Sequence, residues 1–88
     1  MNEGATLEPK RLAGKLTAIR TDRGLSQSQM VSALGLKNKI TREDISTFER
    51  GLREPPLPIL LKYARLAGVS TDVLIDDKLD VDVGSKEG

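Results

Sequence analysis

The chain has 88 residues, 14 Lys and Arg against 13 Asp and Glu, 38% hydrophobic residues, and neither cysteine nor histidine. That length is one small domain, and the missing residue types exclude disulfides, thiolate or imidazole zinc sites, cysteine nucleophiles and Ser-His-Asp constellations. Its two aromatic side chains, Phe48 and Tyr63, are too few for the stacking platforms of single-strand and RNA-recognition modules. The first six residues, Met-Asn-Glu-Gly-Ala-Thr, hold no apolar segment. Apolar runs such as Ile59-Leu60-Leu61 fall far short of a membrane span. The expectation is a cytoplasmic protein with no membrane association, no cofactor and no evident small-molecule ligand.

Charge is uneven along the chain. Residues 1–70 carry 12 basic against 7 acidic side chains, and residues 71–88 carry 2 against 6. A basic body with an acidic tail is one composition of a nucleic-acid binder, although scattered surface charge gives the same totals.

The first element is a helix over 9–23. Pro9 suits a first helical position, Leu12, Leu16 and Ile19 repeat at helical spacing, and Gly24-Leu25 ends it. A glycine followed by an apolar residue marks a helix C-terminus, because glycine takes the left-handed conformation and the next side chain folds back onto the last turn. The second helix, 27–34, starts at Ser26 with Gln29 in a capping-box relation and ends at Gly35-Leu36. The third, 42–50, starts at Thr41 with Asp44 as a looser variant of the same box, turns Ile45 and Phe48 to one edge, and ends at Gly51-Leu52. The fourth, 57–67, repeats Leu57, Leu60, Leu61, Ala64 and Ala67 before Gly68-Val69. A fifth, 71–76, follows Ser70 with Asp72 favourably placed in its first turn. The body is therefore all-α with five helices. Residues 1–8 read as a flexible N-terminus and 77–88 as an acidic tail or arm. In that tail Leu79, Val81 and Val83 alternate with acids, as a frayed end or a short docking strand would. Asp80, Asp82 and Gly84 lack the further ligands of a calcium loop.

The stretch Gly24-Leu25-Ser26-Gln27-Ser28-Gln29-Met30, with Ala33-Leu34-Gly35, Ile45-Ser46-Thr47-Phe48-Glu49-Arg50-Gly51 and Arg53-Glu54-Pro55, resembles the Cro/repressor-type (XRE-type) helix-turn-helix family. The likeness continues through Leu60-Leu61-Lys62-Tyr63-Ala64 to Leu74. The resemblance implies a compact five-helix, lambda-repressor-like DNA-binding domain over 9–76. Its third helix would enter the major groove of double-stranded DNA, usually as a homodimer on a palindromic operator. One departure is large: the interval from Gly35 to Ile45 is four residues longer than the family's pattern. Without that insertion Thr41 and Asp44 would fall at the two core positions, and a buried unpaired charge costs several kcal/mol. Val31 also stands where the family prefers a small residue.

Carried over by position, the resemblance implies a phosphate contact from Gln27, with its backbone N–H also facing an anion. Arg42, Glu43 and Thr47, with Ser46 beside them, fall where the family reads base edges. Arginine can bond guanine bidentately and glutamate can accept from cytosine N4. Thr41, Arg50, Arg53 and backbone N–H groups near Leu52 fall on the phosphate edge. Lys37 and Lys39, just before the third helix, face the flanking backbone or simply keep an enlarged loop soluble. Glu43 and Asp44 also suit a helix N-terminus without any ligand. Arg20 and Glu49 match a pair that the family buries as a salt bridge between the first and third helices.

Two functional classes follow. One is a sequence-specific regulator of transcription. The other is a protein-interaction module, such as an antitoxin or adaptor, using the same fold and the 79–83 arm. Catalysis has almost no support, because the adjacent acids Glu43-Asp44 and Asp76-Asp77 point apart on a helix and no glycine-rich phosphate loop is present.

Overall fold

In the computed structural model, which describes residues 11–79, five helices follow one another: α1 (Leu12–Asp22), α2 (Gln27–Ala33), α3 (Arg42–Glu49), α4 (Leu57–Ala67) and α5 (Thr71–Ile75). The chain is all-α over this range. Four glycines set the breaks. Gly24, Gly35, Gly51 and Gly68 all have φ near +70°, and the residue after each closes the same bond back onto the helix. Leu25 N donates to Arg20 O, Leu36 N to Val31 O, Leu52 N to Thr47 O and Val69 N to Ala64 O, at 3.0 to 3.3 Å. The starts of α2 and α3 are full capping boxes, Ser26 with Gln29 and Thr41 with Asp44.

Five boundaries depart from the sequence reading. α1 begins at Leu12 and not at residue 9, with Arg11 at its N-cap. The Arg11 backbone N–H donates to Asp77 Oδ1 at 3.0 Å, and its guanidinium donates to the Asp77 carbonyl at 2.6 Å. A long-range partner therefore occupies the donor that would otherwise need a local cap. Arg23, Leu34, Arg50 and Asp76, read as helical, are instead the C-cap residues of α1, α2, α3 and α5. Pro9, residues 1–8, Val81 and Val83 lie outside the described residues.

The core joins one stripe from every helix: Leu16 and Ile19 of α1, Met30 of α2, Ile45 and Phe48 of α3, Tyr63 of α4 and Leu74 of α5 are all 0 or 1% exposed. α3 packs between α2 and α1, and α5 closes against α1 and α4. Lys15 is buried with them. Its ammonium donates to the carbonyls of Val73 at 2.7 Å and Asp76 at 2.8 Å, which satisfies the open C-terminal end of α5. Burial, then the charge of Arg11, holds its pKa below the ordinary lysine value, against the opposing pull of Asp77 and Asp76.

Candidate nucleic-acid interface

α3 is amphipathic in the sense a reading helix needs. Ile45 and Phe48 fix its inner face in the core, and Glu43, Ser46, Thr47 and Arg50 succeed one another at three- and four-residue spacing on the other side. Arg42 and Glu43 project from the first turn with side chains 67% and 73% exposed, and Arg42 Nε donates to Glu43 Oε2 at 3.3 Å. Hydrogen bonding, first to the backbone and then from Arg42, holds the Glu43 carboxyl below the ordinary glutamate range. Ser46 and Thr47 are half-buried. The Thr47 hydroxyl donates back to the Glu43 carbonyl at 2.9 Å.

The remaining side chains of the expected interface are placed less uniformly. Thr41 Oγ1 accepts from Asp44 N at 3.3 Å while Asp44 Oδ2 accepts from Thr41 N at 2.9 Å, so both are engaged in capping. Arg53 folds back over α3, its guanidinium 5.0 Å from the centroid of the Phe48 ring and 3.5 Å from Asp44 Oδ1. Leu52, the residue after Gly51, is 64% exposed. The Leu52 backbone N–H, expected on the phosphate edge, is already bonded to Thr47 O. Gln27 is half-buried at the start of α2, and its side-chain amide donates to Glu49 Oε1 at 3.3 Å.

Behind α3 lies a charged clasp. Arg20 Nε donates to Glu49 Oε2 at 2.7 Å and Arg20 Nη2 to Glu49 Oε1 at 2.9 Å, with the Glu49 side chain 5% exposed. Arg20 Nη1 also donates to the Leu25 carbonyl at 2.8 Å. The hydrogen bond to Glu49 is the main cause raising the Arg20 pKa above its ordinary value.

A family model for a helix-turn-helix domain matches residues 11–77. The chain belongs to the helix-turn-helix family, of the Cro/repressor (XRE) type. Among curated proteins it is similar to the SPbeta prophage-derived uncharacterized HTH-type transcriptional regulator YonR of Bacillus subtilis (strain 168), at 41% identity over 61 residues, 69% of this chain. The match spans 53% of that protein, so the chain accounts for about half the length of this relative. No solved structure gives a significant match.

Within this helix-turn-helix the connection between α2 and α3 is a built turn. Leu36 is 6% exposed and Ile40 packs against the core, so two apolar anchors bracket an exposed tip of Lys37, Asn38 and Lys39. The tip reverses through Asn38, whose φ of 74° is positive, and Lys39 N and Ile40 N both donate to Leu36 O. Asparagine tolerates this conformation better than most residues. Between the turn and the helices runs an open cleft of about 330 Å³, which places Lys37 and Asn38 beside Ser32 of α2 and Arg42 of α3. Lys39 does not line it.

Neither the Gln27–Glu49 bond nor the Arg53–Phe48 stack was visible from residue types. The one available signal was that Glu49 and Arg53 both lie close to Phe48 in sequence, next to a position that must be buried.

Proposed function

We propose that this protein is a sequence-specific double-stranded DNA-binding regulator of transcription that inserts α3 into the major groove and acts as a homodimer on a palindromic operator. The observation that carries the reading is the first turn of α3. Arg42 and Glu43 stand out from a helix whose opposite face is locked in the core by Ile45 and Phe48. Such a helix offers rigid, outward donors and acceptors of the kind that base edges can pair with. Arg42 bonds a guanine, Glu43 accepts from a cytosine N4, and Thr47 with Ser46 completes the reading face. Arg50, Lys37, Lys39 and, when released from Asp44, Arg53 supply cations to the flanking phosphates; Thr41 and Gln27 lie at the edge of the same surface. A single domain of this size reads too few base pairs for useful discrimination, which is the reason for two copies on half-sites about one helical turn apart.

The test is selection of binding sites from random duplex DNA at a stated salt concentration. A recovered motif with dyad symmetry supports the activity, the homodimer and the half-site together. No enrichment would favour the protein-interaction module.

A further inference from the structure

Glu49 is the meeting point of three helices. Its carboxylate takes two nitrogens from Arg20 of α1 and one from Gln27 of α2. Arg20 in turn holds the Leu25 carbonyl in the turn that enters α2. Position in the family implies a phosphate contact for the Gln27 side chain, yet here its amide points to the buried carboxylate. Moving that amide to a phosphate would strip one donor from a side chain only 5% exposed, and buried carboxylates are costly to leave short of partners.

We propose that Gln27 is a positioning residue, which fastens α2 to the recognition helix through Glu49 and keeps that bond when DNA is bound. The inference rests on the DNA-binding reading above and deepens it. Arg20 joins the core packing of Leu16 and Ile19 against Ile45 and Phe48 in holding α3 against α1. The Gln27 amide adds the α2–α3 setting, and with it the angle at which the helix-turn-helix meets the groove. This matters here because the connection between α2 and α3 is long, so that the turn by itself constrains their angle less than a short one does.

Gln27→Met keeps the length and packing of the side chain and removes only its hydrogen bonds. Affinity is measured on a duplex carrying the selected motif, for the wild type, Gln27→Met, Glu49→Gln and the double variant. If Gln27 acts through Glu49, Gln27→Met weakens binding about tenfold in the wild-type background and less than about twofold beside Glu49→Gln, since residues in one network are not additive. The loss also persists on each of a series of duplexes in which single phosphates are replaced by uncharged methylphosphonates. Should Glu49→Gln not fold, the methylphosphonate series with Gln27→Met alone decides the matter. A Gln27→Met loss that disappears on one substituted duplex identifies a direct phosphate contact and overturns the proposal, as does a variant that binds like wild type. A wild type that binds no duplex overturns the DNA-binding reading and this inference with it, and its affinity is what separates that outcome from failure of the inference alone.

Discussion

Arg20 grips Glu49 side-on, two guanidinium nitrogens on two carboxylate oxygens at 2.7 and 2.9 Å, across the contact between α1 and α3. With the Glu49 side chain 5% and the Arg20 side chain 17% exposed, removing one partner strands the other. Glu49→Ala is therefore expected to destabilise the fold by about 3 kcal/mol, while replacing both residues by methionine costs less than Glu49→Ala alone, because no lone charge remains. Urea unfolding of the three proteins checks this; a Glu49→Ala loss under about 1 kcal/mol would show that the clasp does not hold α3.

Arg42 is the expected guanine reader. Arg42→Ala should cost about 1–3 kcal/mol on the selected site and relax preference at one position of each half-site. Repeating the selection with the variant measures both. The same motif recovered at the same stringency would assign Arg42 to the backbone or to solvent, and base reading to other positions of α3.

Removing the turn lysines is expected to lower affinity without touching sequence preference. Lys37→Ala with Lys39→Ala should reduce the slope of log affinity against log salt by up to about two, at roughly 0.9 for each phosphate neutralised, and leave the motif unchanged. Only Lys37 shares the cleft with Arg42, so its single variant should carry the larger part. A slope equal to that of the wild type would make both lysines solubilising residues of an enlarged loop.

Much of this architecture was legible in local sequence because helix ends are local chemistry. The four glycine-apolar pairs and the Ser26 and Thr41 boxes depend on residues at most five positions apart, and each forms the bond its spacing implies. What was not legible depends on distant groups. Arg11 meets Asp77 and Lys15 meets Val73 and Asp76 only after α5 has folded back on α1. Nothing near Lys15 in the sequence distinguishes it from an exposed lysine except its place between Leu12 and Leu16. The same holds at the interface. The outward face of α3 follows from Ile45 and Phe48, whereas the inward turn of Gln27 and the folding of Arg53 over Phe48 depend on which groups the packed helices and the turn after α3 bring within reach.

Tyr63 makes a pH prediction. Its side chain is fully buried near Arg20 and Glu49, and among the described residues its hydroxyl has no hydrogen-bond partner. Burial, reinforced by Glu49, pushes its pKa far above the ordinary tyrosine value, against a smaller opposing effect of Arg20. Below about pH 10 the phenol keeps its proton in both states and the contribution to stability is constant. Above it the unfolded chain ionises first, so stability falls as pH rises, by up to about 1.4 kcal/mol per pH unit for this one group. Tyr63→Phe should flatten that alkaline decline and change stability at neutral pH by no more than about 1 kcal/mol, with a gain as readily as a loss, since it removes an unpaired hydroxyl. Identical alkaline slopes for the two proteins would mean that the phenol is open to solvent or satisfied.

The most direct measurement is the ratio of two affinities at one salt concentration near physiological: that of the wild-type protein for its selected duplex and that for a duplex of the same length with the motif scrambled. A sequence-specific regulator predicts a ratio of about 10³ or more. A ratio near one, with both affinities falling together as salt rises, would contradict base reading by α3 and leave only the electrostatic attraction of a basic surface for DNA.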